Sequence, residues 1–431
     1  MVSQTPEIKE KKPFAIDLFA GAGGLSLGFE EAGFDVAAAV EYDPVHAAVH
    51  EYNFPQTSMF CCDVRELNGK DIRDKTRIGD EEVAVVFGGP PCQGISLIGK
   101  RNVDDERNSL LKEFTRIVLE IRPRYFVMEN VAGLLVGKHR SLLDEVIGCF
   151  EDSGYSVLQP RVLQAAEYGV PQSRKRLFLI GARGDVSLPC YPKPCCTPRR
   201  IDGGAVEGAL PLGPSVWDAL GDLPDVDNYD ELTGSDEAEA EFEIPSIYAS
   251  LLRDTENDPS NFAAPRFFDP ARLTSSARTN HTQRSIGRFA NTAPGTTEPV
   301  SRFLRLHPLG VSNTLRAGTA SDRGAYTAPR PIHPKYPRVI TVREAARLHG
   351  YPDWFRFHVT KWNGFREVGN SVPVFLGRAV AQELIRSLGF SPRKSAEVLC
   401  GDPKLLSFTQ REAERYYGIE ERVIPQRARK G

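Results

Sequence analysis

The chain has 431 residues, of which 41% are hydrophobic, 26% charged and 9% aromatic. This balance is typical of folded globular proteins and excludes the disordered and fibrous classes, and the length predicts two domains, one large and one small. Because the formal net charge is −3, any affinity for a polyanion must come from a local basic cluster. No apolar run approaches the ~18 residues of a membrane span. The chain also begins with a charged, polar stretch, so we predict neither membrane insertion nor secretion and expect a cytoplasmic protein.

The first part of the chain alternates short apolar runs with helical segments. The spacing of apolar residues predicts a helix from Asn108 to Ile121, and Asp43-Pro44 is a typical start for a helix running to about Asn53. Strands are predicted at 15–19, 36–40, 83–87, 125–128 and 177–180. Strands and helices in series predict an α/β fold, with a doubly wound parallel sheet covered on both faces.

The predicted large domain comprises residues 13–186 and is completed by 338–393. Between them, residues 187–337 are rich in Pro and Gly, and we predict that they form the smaller domain. No role is predicted for the tail, 394–431.

Two helices are predicted in residues 338–393, the segment that completes the large domain. Thr341 and Glu344 have the spacing of a capping box and open a helix to His349, with Gly350 as its stop. A long helix follows Pro373.

Two segments of the smaller domain differ in charge. Residues 225–243 hold nine acids and no Lys or Arg, which favours a solvated linker or surface insert. Residues 263–338 hold twelve basic residues against three acids, with aromatic residues among the arginines. This second pattern is as compatible with binding a polyanion as with an ordinary charged surface.

The eight cysteines include no C-x-x-C pair, so the sequence predicts no metal site. Seven of them are interpreted as small buried hydrophobes. Cys92 is the exception, because it follows a predicted strand in Gly88-Gly-Pro-Pro-Cys-Gln-Gly94. Ligands of doubly wound sheets bind beyond the carboxyl ends of the strands, so a thiol held there predicts a nucleophile.

Other residues that follow the strands suggest an adenosine-bearing ligand. The turn Phe19-Ala-Gly-Ala-Gly-Gly24 would let a ligand approach the backbone, and Glu41, twenty positions after Gly21, could accept both hydroxyls of a ribose. Ser26 stands where the dinucleotide fingerprint has its third glycine, so a ligand-free turn is the alternative. Asp63 is either an acceptor for an adenine amino group or an ordinary surface aspartate.

A general acid and two cationic side chains are predicted at the same edge. Glu129 follows the strand ending at Met128, and a desolvated carboxyl there could protonate a ring nitrogen. Arg174 and Arg176 precede the next strand and could hold a phosphate or a ring carbonyl. Each of these residues alone could instead belong to a surface ion pair.

Six segments in this order resemble the motif set of the DNA (cytosine-5) methyltransferases, over nearly all of residues 14–388. They are Asp17-Leu-Phe-Ala-Gly-Ala-Gly-Gly24, Gly89-Pro-Pro-Cys-Gln93, Glu129-Asn-Val131, Gln172-Ser-Arg-Lys-Arg176, Arg343-Glu-Ala-Ala-Arg-Leu348 and Gly369-Asn-Ser-Val-Pro373. The fold implied is a Rossmann-like sheet that binds S-adenosylmethionine, with a smaller target-recognition domain.

The resemblance also implies how the cofactor is held. Phe19 would stack on adenine, Glu41 would bind the ribose, Asp63 would meet the adenine amino group, and Tyr42 stands where the family often has Trp. The complete set of implied contacts is Phe19, Gly21, Gly23, Leu25, Glu41, Tyr42, Asp63, Val64, Pro90, Leu110, Asn370 and Ser371.

In the mechanism that the resemblance implies, Cys92 adds to carbon 6 of a flipped-out cytosine while Glu129 supports ring nitrogen 3. Arg174 and Arg176 would hold the ring carbonyl or its phosphate. The basic middle segment would read the DNA sequence, and Thr314-Leu315 resembles a short signature there. The implied substrate contacts are Gln93, Ser96, Thr314 and Leu315.

The leading hypothesis is therefore methylation of a short sequence in double-stranded DNA by a monomer, alongside a restriction endonuclease that acts separately or with none. The long basic segment favours duplex DNA over the closest alternative, a transfer-RNA cytosine-5 methyltransferase. A nicotinamide-dependent oxidoreductase would leave Cys92 and Glu129 unexplained. A catalytically inactive DNA-binding relative has no support, because Cys92, Glu129 and Arg174 are all present.

Overall fold

The computed structural model describes residues 11–91, 109–201, 210–255, 258–318 and 330–420. Within them the chain folds around an eight-stranded sheet of order β3-β2-β1-β4-β5-β8-β6, with β7 also paired to β8. Its strands are β1 (Phe14–Leu18), β2 (Asp35–Glu41), β3 (Ser58–Cys61), β4 (Val83–Gly88), β5 (Tyr125–Val131), β6 (Tyr155–Val157), β7 (Arg161–Gln164) and β8 (Lys175–Arg183). The five predicted strands are all present, and the order of the first five is that of a doubly wound sheet.

The sequence pattern predicted a parallel sheet, but the observed sheet is mixed. Strands β1 to β5 pair in parallel, but β8 runs antiparallel to β5, β6 and β7. The connection from β7 to β8 spans only residues 165–174, and a parallel crossover needs a dozen or more. The apolar run in β8 predicted a strand correctly, whereas its direction depends on this short connection.

Twelve α-helices lie within the described residues, and the predicted helix starts are confirmed. They are α1 (Gly24–Ala32), α2 (Pro44–Asn53), α3 (Gly69–Asp74), α4 (Ser109–Ile121), α5 (Lys138–Asp152), α6 (Val216–Leu220), α7 (Ile247–Arg253), α8 (Gln283–Asn291), α9 (Val342–Arg347), α10 (Lys361–Asn370), α11 (Val374–Leu388) and α12 (Gln410–Tyr416). None of them is both long enough and apolar enough to cross a membrane.

Local sequence signals explain where α2 and α9 begin. Asp43 accepts a hydrogen bond from the amide of Val45 at the start of α2, and Thr341 and Glu344 form a reciprocal capping box in α9. Helix α9 ends at Arg347, two residues before the predicted end.

Hydrophobic clusters cover both faces of the sheet. On one face α1 and α11 pack together, with Phe29 stacked on Phe87 of β4 at 3.7 Å between ring centroids. On the other face α4 and α5 bury Phe114 and Phe150. The first cluster continues into the predicted smaller domain through residues such as Leu220.

The acidic segment 225–243 is not the solvated linker that its charge suggested. Leu232 is fully buried. Asp225 pairs with Arg338 at 3.3 Å, and the buried Asp236 pairs with Arg356 at 3.4 Å. The linker interpretation was wrong because arginines from distant parts of the chain pair with Asp225 and Asp236, which the local composition does not reveal. Six of the nine acids, among them Asp230 and Glu231, are nevertheless exposed at the surface.

The C-terminal tail packs against α2. Leu405 and Leu406 are buried in a cluster with residues of that helix. The hydroxyls of Tyr416 and Tyr417 donate to the two carboxylate oxygens of Glu51, each at 2.7 Å. The tail therefore braces the helix that follows Glu41.

Candidate functional site

The candidate site lies at the carboxyl ends of the parallel strands. Strand β1 lies between β2 and β4 in the sheet, so the loops that follow these strands meet at one edge. The sequence predicted most of its functional residues in these loops, whereas Glu41 is the last residue of β2, and Glu129 and Arg176 lie within β5 and β8. Of the cofactor candidates from elsewhere in the chain, Glu41 and Ser371 lie beside the turn after β1.

The turn after β1 leaves room for a ligand on one side only. Phe19 adopts a left-handed conformation with φ of 64°, which is uncommon for a residue with a side chain, and it lies just beyond the end of β1 rather than within it. A Cβ atom at Gly21 would meet no described atom within 4 Å, whereas one at Gly23 would lie 2.3 Å from the ring of Phe54. The open side at Gly21 allows the close backbone approach that the sequence predicted.

Glu41 joins this turn to the start of α2. Its two carboxylate oxygens accept hydrogen bonds from the backbone amides of Gly21, at 2.7 Å, and Asp43, at 2.8 Å. Burial raises the pKa of Glu41 to about 7, although the hydrogen bonds from these amides oppose the shift. Each oxygen keeps a further lone pair, so the carboxyl can accept additional donors such as ribose hydroxyls.

The other cofactor candidates differ in accessibility. Tyr42 is 45% exposed and can present its ring. The carboxylate of Asp63 is already bonded by Arg65, whose guanidinium lies at 2.6 Å and lowers the pKa of that carboxyl. Asn370, which is exposed, is the last residue of α10, and the half-buried Ser371 follows it. Of the remaining candidates, three are buried and one is half-buried: Val64, Pro90 and Leu25 are buried, and Leu110 is half-buried.

Gly24 fixes Ser371 beside the glycine turn. A Cβ atom at Gly24 would lie 2.8 Å from Cβ of Ser371 and 2.6 Å from the hydroxyl of Tyr351. Residues at opposite ends of the chain are therefore in van der Waals contact at this turn.

Glu129 and Arg176 form an ion pair between β5 and β8, near the carboxyl end of β5. Arg176 Nε lies 2.8 Å from Glu129 Oε1, and both side chains are at most 14% exposed. Burial raises the pKa of Glu129, while the charges of Arg176 and Arg174 oppose that shift. The Glu129 carboxyl lies against the β4 loop, since a Cβ atom at Gly89 would be 2.7 Å from Glu129 Oε2.

Arg174 does not lie in the environment that was expected for a substrate-binding residue. Its Nη1 donates to the carbonyl of Leu315 at 2.6 Å, and its Nη2 donates to the carbonyls of Gly369 and Ser371, each at 2.8 Å. The residue is 1% exposed. The expectation that Arg174 holds the substrate is not met, because the buried guanidinium joins three backbone segments instead.

The Thr314-Leu315 signature is anchored at the same place. The Thr314 hydroxyl donates to the carbonyl of Ser173 at 2.6 Å, and the Leu315 amide donates to Gln172 Oε1 at 3.1 Å. The side chain of Leu315 is only 3% exposed and packs in the core, so the role of Thr314 and Leu315 in substrate binding stays a prediction.

Cys92, Gln93 and Ser96 lie outside the described residues. The described chain ends at Pro91 on this loop. In the sequence, Cys92 directly follows Pro91 and comes three positions after Gly89. The sequence interpretation also passed over Asn130, although it lies in the quoted Glu129-Asn-Val131 motif; its amide donates to the carbonyl of Pro90 at 3.1 Å and anchors this loop.

Comparison with known proteins gives consistent matches. The family described as "C-5 cytosine-specific DNA methylase" matches residues 14–386. Type II methyltransferase M.XorII of Xanthomonas oryzae pv. oryzae is 52% identical over 420 residues, which cover 97% of this chain and 95% of that protein. Type II methyltransferase M.DdeI of Desulfomicrobium norvegicum is 32% identical, over 86% of this chain and 88% of that protein.

Solved structures agree with these matches and confirm the predicted α/β class. A putative DNA modification methyltransferase encoded within a prophage of E. coli has a TM-score of 0.69 at 32% identity, covering 88% of this chain and 100% of that one. The S. pombe Dnmt2 methyltransferase has a TM-score of 0.51 at 16% identity with the same coverage, which shows the shared fold alone.

Proposed function

Because the chain belongs to the C-5 cytosine-specific DNA methylases, we propose that it methylates a flipped-out cytosine within one short sequence of double-stranded DNA, using S-adenosylmethionine and a covalent bond from Cys92. The observation that carries this proposal is the buried Glu129–Arg176 pair, which lies against the loop that leads into Cys92. On this proposal, the nucleophile that follows Pro91 in the sequence acts at the same edge of the sheet as the general acid.

The residues around the glycine turn fit S-adenosylmethionine, which supplies an electrophilic methyl group when bound. The open side of Gly21 admits the amino-acid end of such a ligand. The spare lone pairs of Glu41 suit a ribose, and the exposed ring of Tyr42 and the half-buried Phe19 offer apolar faces to an adenine. Asn370 and Ser371 close the far side.

In the reaction, the thiolate of Cys92 bonds to carbon 6 of cytosine, and Glu129 donates a proton or a hydrogen bond to ring nitrogen 3. Carbon 5 then carries the electron pair that takes the methyl group. Loss of the carbon-5 proton and elimination of the Cys92 thiolate restore the aromatic ring. The pair with Arg176 orients the carboxyl, and burial favours its protonated form.

The base has to leave the duplex for this chemistry, because a thiol cannot reach a stacked ring. We assign DNA recognition to residues 187–337, whose segment 263–338 carries a net charge of +9 from twelve basic and three acidic residues. This region is connected to the segment beside the site through the hydroxyl of Thr314, which donates to Ser173, and the carbonyl of Leu315, which accepts from Arg174. The Type II names of the relatives support a restriction endonuclease with the same target.

Bisulfite sequencing of plasmid DNA from a methylation-free bacterium that expresses the chain tests the proposal. We expect protection of one cytosine in one recurrent sequence, and none with Cys92→Ala. The matched control is Cys149→Ala, since Cys149 is exposed on α5, a helix outside the candidate site. If purified protein labelled transfer RNA and left duplex DNA unlabelled, the substrate assignment would be wrong.

A further inference from the structure

A cluster of buried polar side chains lies beneath the glycine turn and is not used by the proposed chemistry. Asp17, near the end of β1, is 1% exposed and accepts the hydroxyl of Ser26 from α1 at 2.6 Å. The same hydroxyl lies 3.0 Å from Nε2 of His50 on α2. Asp17 Oδ1 and His50 Nδ1 are buried with no hydrogen-bond partner in the described chain. Such unpartnered buried atoms are rare enough to require an explanation.

Two carboxyl groups lie near the turn: Asp17 is buried, and Glu41 is half-buried and accepts a hydrogen bond from the amide of Gly21. Their charges repel each other, and burial raises the pKa of Asp17 to about 8 and that of Glu41 to about 7. Asp17 is bonded to a neutral hydroxyl and Glu41 to backbone amides. Within the described residues, neither carboxyl forms an ion pair with a Lys or Arg side chain.

The surrounding groups provide no positive charge for this pair. Burial lowers the pKa of His50 to about 3, so its ring is neutral. Burial also raises the pKa of Tyr351, whose hydroxyl lies near Gly24 and keeps its proton. The nearby cation, Arg366, contacts Asp43 at 3.3 Å. Hence no described cation stands ready to neutralise these carboxyls when they ionise.

We propose that the Asp17–Glu41 pair selects the cationic methyl donor over its neutral-sulfur product, with Asp17 acting as a positioning residue that releases its proton when the donor binds. This inference rests on the proposed function, because the sulfonium of S-adenosylmethionine would be the missing positive charge. S-adenosylhomocysteine differs from the donor by the loss of the transferred methyl group and of that charge. The ionised carboxyl therefore favours the donor only.

The proton balance gives the sign of the pH effect. A cation stabilises the ionised carboxyl, so binding drives off a proton when the free group is protonated. Affinity for the donor then rises with pH, by at most about tenfold per pH unit for each proton released, until the free group is ionised. The affinity for S-adenosylhomocysteine rises much less with pH, because its sulfur carries no positive charge.

Isothermal titration calorimetry of the full chain tests this, with both ligands measured from about pH 6 to about pH 8.5 in buffers of different ionisation enthalpy. In the wild type we expect the ratio of donor to product affinity to rise with pH, and donor binding to release more protons than product binding. In Asp17→Asn the rise should be smaller and donor affinity at high pH weaker, with product affinity unchanged. Comparing the two proteins removes the titration of each ligand's own amino group.

Two further variants test the role of Asp17. Ser26→Ala removes the hydrogen bond that favours ionised Asp17, so the rise in donor affinity should shift to higher pH. This variant replaces Asp17→Asn in the test if Asp17→Asn does not fold. The control Asp35→Asn lies at the other end of β2, where Asp35 pairs with Arg77, and should match the wild type.

The possible failures are distinguishable. Identical pH courses in the wild type and both cluster variants, with both ligands bound, would overturn the charge selection and leave the proposed function standing. Binding of neither ligand by the wild type at any pH would overturn the cofactor assignment, and this inference with it.

Discussion

Glu129 on β5 and Arg176 on β8 form a buried ion pair because the two strands are adjacent and antiparallel. Strand β8 pairs with β5 so that Arg176 lies opposite Val131, two residues beyond Glu129. Its Nε thereby reaches Oε1 of the carboxyl at 2.8 Å. A parallel β8 would have carried Arg176, at its amino-terminal end, to the opposite edge of the sheet.

Replacing the carboxyl of Glu129 should slow chemistry without weakening cofactor binding. We expect Glu129→Gln to lower the single-turnover methylation rate by about 10²-fold or more, the usual contribution of a general acid. Glu145→Gln, at an exposed carboxylate paired with Lys112 on the surface, should react at the wild-type rate. An unchanged rate in Glu129→Gln would remove its role as an acid.

Removing the charge of Arg176 should change the pH profile as well as the rate. Arg176 opposes the raised pKa of Glu129, so in Arg176→Gln that pKa rises further and the protonated acid persists to higher pH. The alkaline limit of single-turnover methylation should then move upward. Lys175→Gln is the matched control, because Lys175 is exposed on the same strand. A lower rate with an unmoved pH limit would mean that Arg176 acts through geometry alone.

Arg174 should contribute to stability more than to chemistry. Arg174→Leu leaves the carbonyls of Leu315, Gly369 and Ser371 without their donor, and each buried unsatisfied group costs about 1–3 kcal/mol. We expect urea denaturation to show a loss of about 3 kcal/mol or more. A variant as stable as the wild type would show that water replaces the guanidinium.

Acid should selectively remove the contribution of Asp353. Burial alone would raise the pKa of this carboxyl, but Arg347, which bonds both oxygens at 2.6 and 2.7 Å, holds it below the usual value. Its stabilisation is therefore complete above the unfolded pKa of about 3.9 and is lost as pH falls through the lower folded value.

Urea denaturation of Asp353→Asn measures this contribution. At pH 7 we expect a loss of about 3 kcal/mol, as when a buried pair is broken, and a difference from the wild type that shrinks in acid. Asp144→Asn, on an exposed pair with Arg140, should differ little at either pH. A deficit that is constant with pH would show that the charge of Asp353 is not the cause.

Local signals in the sequence were enough for five of the eight strands of the sheet and for four of the twelve described helices. The caps at Asp43 and Thr341 and the buried runs of β1, β2, β4 and β5 depend on neighbours within a few residues, so the pattern predicts them directly. The rule that ligands bind beyond the strands placed the glycine turn just after β1, whereas Glu129, predicted to follow its strand, lies within β5.

What the sequence by itself determined was the α/β class, the strand and helix positions, and the methyltransferase motifs, because each is written in contiguous residues. Only the tertiary structure decided the direction of β8, the pairing of the acidic segment with distant arginines, the structural role of Arg174, and the meeting of Asp17, Ser26 and His50. These depend on contacts between residues far apart in the chain, whose partners are fixed by packing and by the need to satisfy buried polar groups.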